Sequence, residues 1–157
     1  MGKYLIIIFS LLLLSCSSRD EEKNSKDYQE RAEASLIQMP YINNVYSDYR
    51  EAFQEAKKEN KSVFILFTTK YCRWCIKLKE TTLQNAPLSK RLNDDFIVLL
   101  LNKNYSQYPS KYQVKAVPAV YITDKNEEIF TSIVGYHKNP SDYIKWFNYI
   151  KMELKSL

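Results

Sequence analysis

Cys72-Arg73-Trp74-Cys75 sets two thiols two residues apart. That spacing lets the sulfurs close a small disulfide ring. The motif follows the apolar run Val63-Phe64-Ile65-Leu66-Phe67 and opens a stretch of helical character. At a helix N-terminus the first thiol meets unpaired backbone N–H groups and the positive end of the helix dipole, and both favour thiolate over thiol. Thiolate is the species that attacks disulfides. Zinc binding is the other chemistry open to such a pair. Tetrahedral zinc needs further ligands, however, and the chain offers one histidine and no second Cys-x-x-Cys.

The third cysteine, Cys16, has a different setting. Lys3 supplies a short positive start, Tyr4 to Leu14 is an apolar run, and polar residues follow Cys16 at once. The run is too short for a permanent bilayer-spanning helix and reads as a signal segment over residues 1–15. Leu13-Leu14-Ser15-Cys16 resembles the bacterial lipobox. The resemblance implies diacylglyceryl transfer to the Cys16 sulfur, cleavage before Cys16, and a periplasmic protein held to a bacterial membrane by lipid. An ordinary signal peptide or anchor with an incidental cysteine is the alternative. Lipidation of Cys16 leaves Cys72 and Cys75 as a pair and none for a structural disulfide, so the domain must rely on its core.

A chain of 157 residues with 45% hydrophobic and 26% charged residues has enough material for one globular domain. Cleavage before Cys16 removes only Lys3 and takes the formal charge from +5 to +4. This mild excess reads first as a solvated surface, and second as an affinity for anionic headgroups or acidic partners. No long basic run argues for nucleic acid.

The elements that must position the thiols follow from patterning. Ser17 to about Ala34 is polar and highly charged, and residues 16–40 read as a lipidated tether. About 20 flexible residues have a typical end-to-end distance of roughly 25 Å. A short surface helix over Tyr28 to Leu36 is the alternative there. The domain is expected over 41–157.

Ser47 is the expected N-cap of a first helix, with Tyr49, Ala52, Phe53 and Ala56 at helical spacing and Asn60 as its stop. Ser62 to Thr69 and Phe96 to Leu101 are continuous apolar runs, the pattern of strands buried on both faces. A helix should continue from the cysteines through Leu83, with a second helical piece from Pro87 to Leu92. A loop with one helical turn near Pro109 to Tyr112 should follow. Pro118 to Thr123 and Glu128 to Val134 are expected strands joined by a hairpin at Asp124-Lys125-Asn126-Glu127. Asn139-Pro140-Ser141-Asp142 should start a last helix, with Ile144, Phe147, Ile150 and Leu154 on one face. Buried strands alternating with helices imply parallel pairing and helices on both faces, and the hairpin adds an antiparallel edge.

With these pieces in order, the chain resembles the thioredoxin superfamily, and within it secreted bacterial thioredoxin-like lipoproteins of the SoxW-like branch. Three landmarks carry the resemblance: Tyr71-Cys72-Arg73-Trp74-Cys75-Ile76-Lys77, Lys111 to Ala119 around Val117-Pro118, and Val134-Gly135-Tyr136. It spans roughly residues 44–155. It implies an α/β, thioredoxin-like fold with a central mixed β-sheet flanked by helices on both faces. It also implies a thiol–disulfide oxidoreductase with Cys72 as the attacking thiol and Cys75 as the resolving thiol. A cis Val117–Pro118 bond would present the Val117 backbone to an extended substrate chain, and Gly135 would keep the adjoining groove open. Trp74 is either a substrate-facing aromatic or a helix-surface residue. His137, the sole histidine, is either a polar loop residue or a group approaching Cys72.

The chain departs from the family pattern between its cysteines, where Arg73-Trp74 stands in place of Gly-Pro, and at three further places. Leu66 stands where thioredoxins bury an acid, Leu99-Leu100-Leu101 replaces the accompanying lysine, and Thr68 replaces a common tryptophan. Arg73, with Lys70 and Lys77 nearby, would favour the Cys72 thiolate, which makes the disulfide more oxidising. The direction of electron flow is therefore open between reducing or isomerising protein disulfides and oxidising protein thiols. The resemblance requires no cofactor beyond the redox-active Cys72–Cys75 disulfide. The expected partners are protein thiol or disulfide substrates, a redox protein that recycles the pair, and a membrane reached through lipid on Cys16. Two further readings are a Cu(I)-binding chaperone using both thiolates and His137, and a scaffold with a vestigial motif.

Overall fold

The computed structural model describes residues 39–156. The expected signal segment, Cys16 and nearly all of the tether lie outside the described residues. Met39 already packs into the core, just ahead of the expected domain start.

Five strands form one sheet in the order β1-β3-β2-β4-β5. They are β1 (Val45–Tyr46), β2 (Ser62–Thr68), β3 (Phe96–Asn102), β4 (Ala119–Thr123) and β5 (Ile129–Val134). β2 runs parallel to β3, and β1 extends that parallel half. β4 pairs antiparallel with β2, and β5 antiparallel with β4. The sheet is thus mixed, with the closing hairpin docked directly on the central strand.

Alternation along the strands divides the interior. Phe64, Leu66, Val98, Leu100, Val120 and Ile122 point into one buried cluster. Val63, Ile65, Phe67, Ile97, Leu99 and Leu101 point into another. Successive strand residues face opposite sides, so continuous apolar runs serve two layers. The second layer is covered by α1 (Tyr49–Glu59) through Tyr49, Ala52, Phe53 and Ala56. Asp48, not Ser47, caps this helix: its carboxylate accepts from the Glu51 N–H at 2.9 Å. A cap must sit one residue before the first helical residue, and the helix begins one residue later than the sequence suggested. Asn60 ends it in the left-handed conformation with φ 54°.

The first layer is covered by α3 (Ala86–Asp95) and α4 (Pro140–Ser156). Asn139 caps α4, its side-chain oxygen accepting from the Ser141 N–H at 3.0 Å. Phe147 and Ile150 are buried as expected, and Tyr143 joins them. Leu154 instead lies exposed near the helix end. Among the described residues no helix is long and apolar enough to cross a membrane.

The cysteine helix departs from a regular spiral. α2 (Arg73–Lys77) passes into a π-helical turn, Leu78–Thr82. The turn puts Leu78 and Thr82 inside, and the Tyr41 hydroxyl donates to the Lys79 carbonyl at 2.5 Å.

Strand direction gathers one end of the sheet. β2 leads out to the cysteines, and β3 ends beside it with Asn102 opposite Thr68. β4 begins at Ala119, paired with Phe67 on one side and with Val134 at the end of β5 on the other. Residues 69–77, 103–118 and 135–139 therefore all start or finish at this end.

Candidate active site

Cys72 and Cys75 are joined by a disulfide, with S–S 2.02 Å and Cα–Cα 5.2 Å. Cys72 caps α2 in an extended conformation, and its Sγ accepts the Cys75 N–H at 3.1 Å. Its carbonyl accepts from the N–H groups of Cys75 and Ile76. Cys72 is half-buried, whereas Cys75 is only 2% exposed. A nucleophile that meets an incoming disulfide must be reachable, so the geometry distinguishes the two sulfurs. On reduction the same N–H would stabilise negative charge on Cys72.

The Val117–Pro118 bond is cis, as the sequence led us to expect. The Pro118 carbonyl accepts the Gly135 N–H at 2.8 Å. Gly135 has φ +94°, a conformation that side-chain-bearing residues rarely adopt, and a Cβ there would meet nothing within 4 Å. The glycine thus answers a backbone requirement, and the space before it is open.

Trp74 is 43% exposed and stacks on Tyr136, with ring centroids 5.5 Å apart and planes at 23°. The Lys77 ammonium lies 5.3 Å from both ring centres, and the Arg73 guanidinium 5.1 Å from Trp74. Trp74 is therefore on the helix surface and on the rim of the site together. Tyr136 also shares a hydrogen bond with the Thr81 hydroxyl at 3.2 Å. That bond, aided by the Lys77 and Lys138 charges, holds its phenol below the ordinary range. Tyr136 is the residue that sequence reasoning passed over. Its only signal was its place beside Gly135.

His137 is directed elsewhere. Its Nδ1 lies 3.5 Å from the Asp142 carboxylate in the first turn of α4, and its ring meets Tyr143 edge-on. Its carbonyl accepts the Thr82 hydroxyl at 2.9 Å. Among the described residues, no three His, Cys, Asp or Glu side chains are grouped to hold a metal ion. The Cys72–Cys75–His137 arrangement that the copper reading needs is not assembled.

Near the end of β2 that leads to the cysteines, an apolar row crosses the sheet. Leu66 is opposite Leu100 on β3 and Val120 on β4, and all three are buried. No titratable side chain occupies that register.

The thioredoxin-like domain family matches residues 49–151, spanning both cysteines, the cis-proline and Gly135. Over 54 residues the chain is 37% identical to spermatogenesis-associated protein 20 of Mus musculus, covering 34% of this chain and 7% of that protein. Over 74 residues it is 31% identical to an uncharacterised protein of Caenorhabditis elegans, covering 45% of this chain and 10% of that protein. The chain thus spans a tenth or less of these relatives' length. Among solved structures, a thioredoxin from Thermus thermophilus superposes with a TM-score of 0.58 at 17% identity, covering 69% of this chain and 88% of that one. A DsbH oxidoreductase superposes with a TM-score of 0.56 at 18% identity, covering 73% and 87%. These likenesses are of fold. Taken with the family match, they show that this chain belongs to the thioredoxin-like domain family and has the thioredoxin fold.

Proposed function

We propose that the protein is an extracytoplasmic thiol–disulfide oxidoreductase, held to a bacterial membrane by lipid on Cys16, that reduces or isomerises disulfides in other proteins. The observation that carries this reading is the unequal pair: a reachable Cys72 at a helix start, bonded to a buried Cys75. In the reducing direction, the Cys72 thiolate attacks one sulfur of a substrate disulfide. A mixed disulfide forms and the other substrate sulfur leaves as thiolate. The Cys75 thiolate then attacks the Cys72 sulfur, the second substrate sulfur leaves, and the Cys72–Cys75 disulfide closes. Two electrons pass to the substrate, and its two thiolates take protons from water. An external dithiol then returns two electrons to the pair.

The substrate chain would lie extended along Val117 and Pro118, with Trp74 on one side and the open space at Gly135 on the other. The lipobox-like Leu13-Leu14-Ser15-Cys16 supports the anchored location. The test is insulin-disulfide reduction with dithiothreitol as the recycling dithiol. Wild type should accelerate it, and Cys72→Ser should bring the rate down to that of dithiothreitol alone. Wild-type activity in Cys72→Ser would overturn the assignment.

A further inference from the structure

The segments framing the disulfide carry one sign of charge. Residues 69–77, 103–118 and 135–139 contain Lys70, Arg73, Lys77, Lys103, Lys115 and Lys138, besides Lys111, and no carboxylate. Lys111 is engaged away from the rim, 3.0 Å from Glu127. Strand pairing brings the ends of all three segments to the sheet end that bears Cys72. The formal charge of the whole chain is only +5, so this end is more basic than the molecule as a whole.

The cations also have defined seats. Arg73 and Lys77 lie over Trp74, and Lys77 also over Tyr136. The Lys103 ammonium donates to the Lys115 carbonyl at 3.0 Å, next to the cis-proline loop. Neither Arg73 nor Lys77 is in an ion pair among the described residues. Cations resting on aromatic faces keep their charge available to a ligand while losing little freedom when it arrives. Tyr71, at 81% exposure, and Trp74 add apolar surface to the same rim. The first layer an approaching chain meets is thus aromatic and cationic.

We infer that this rim selects polypeptide disulfides whose flanking residues are acidic, with Arg73 and Lys77, seated on the Trp74–Tyr136 stack, receiving the carboxylates. The inference rests on the oxidoreductase reading above and names the substrate class for that same site. Complementary charge raises encounter rates by roughly 10–1,000-fold in focused fields and falls off with salt. Selection should therefore appear in kcat/KM and weaken as ionic strength rises.

Three model peptides, each closed by one disulfide and flanked by Glu, Gln or Lys, would be reduced by the wild-type protein with dithiothreitol as recycling dithiol. At low salt the Glu peptide should exceed the Lys peptide in kcat/KM by about tenfold or more, and the gap should close at high salt. Lys77→Glu and Lys115→Glu should each lower that ratio severalfold. The ratio cancels any change in Cys72 reactivity, because both peptides meet the same thiol. Lys57→Glu changes net charge equally but lies in the last turn of α1, near the opposite end of β2, and should leave the ratio unchanged. Equal rates for the three peptides, or a fall as large in Lys57→Glu as in Lys77→Glu, would overturn the inference while leaving the oxidoreductase intact. Failure to turn over any of the peptides would overturn the oxidoreductase reading itself.

Discussion

The Gly135 N–H donates to the Pro118 carbonyl at 2.8 Å, joining two segments at the sheet end from which β2 leads to the cysteines. A residue just beyond the end of β5 thereby holds the loop that precedes β4. Gly135 reaches this position with φ +94°. A side chain there has room but the wrong backbone, so conformation and not collision sets the cost. Gly135→Ala should destabilise the domain by about 1–3 kcal/mol. The urea midpoint should fall with an unchanged m-value, and turnover of peptide disulfides should fall with it. An unaltered midpoint would show that the positive φ is not held in solution.

The unequal burial of the sulfurs separates the two half-reactions. In Cys75→Ser, Cys72 can still attack a substrate disulfide, but nothing displaces the product. A mixed disulfide should accumulate at one per protein, visible by intact-mass spectrometry and released by dithiothreitol. In Cys72→Ser the buried Cys75 should trap little or none. Equal trapping by the two variants would contradict the assigned order of attack.

A second network, away from the cysteines, adds a pH dependence to the domain's stability. The Tyr49 hydroxyl donates to Glu127 at 2.9 Å and lies 3.1 Å from the Tyr112 hydroxyl, and Lys111 completes the set. Burial opposes the Glu127 carboxylate, but Lys111 and Tyr49 together outweigh it and hold the carboxyl below its ordinary range. Stability from Glu127 is therefore complete above the ordinary carboxylate pKa and is lost as pH falls through the lowered folded value. Between pH 5 and pH 3, wild type should lose about 1 kcal/mol or less beyond the loss in Glu127→Gln. On the alkaline side the sign reverses. Burial raises the phenols of Tyr41, Tyr49 and Tyr143 and takes Tyr112 up to about 12. Their contribution is complete below the ordinary tyrosine pKa of about 10 and is lost as pH rises beyond it. Absorbance at 295 nm should show Tyr41, Tyr49, Tyr112 and Tyr143 ionising only together with unfolding. A single titration step covering all tyrosines would contradict this.

Four of the five strands were legible because their runs of β-forming residues are bounded by turn residues. Asn60, Asn139-Pro140 and the Asp124 hairpin each marked an end through their own backbone chemistry. The edge strand β1 was not legible, since two residues give no period to read. Nor was the π-helical turn: Leu78 to Thr82 contains no residue that dictates an extra member in the spiral. In the site, Cys72, Cys75, Pro118 and Gly135 stood out by residue type and order. The Trp74–Tyr136 stack did not, because its partners lie far apart in sequence and meet only when the cysteine helix and the end of β5 reach the same side of the fold. The pairing of His137 with Asp142 was hidden for another reason. The capping residues of α4 fix where Asp142 falls, but not which loop group turns toward it.

The slab formed by Leu66, Leu100 and Val120 has a consequence for how the dithiol communicates with its surroundings. With aliphatic side chains at that register, β2, β3 and β4 offer no side chain there that can take or give a proton. A proton exchanged by the sulfurs would find no relay through Leu66. At that level the sheet is a wall, and not a reservoir.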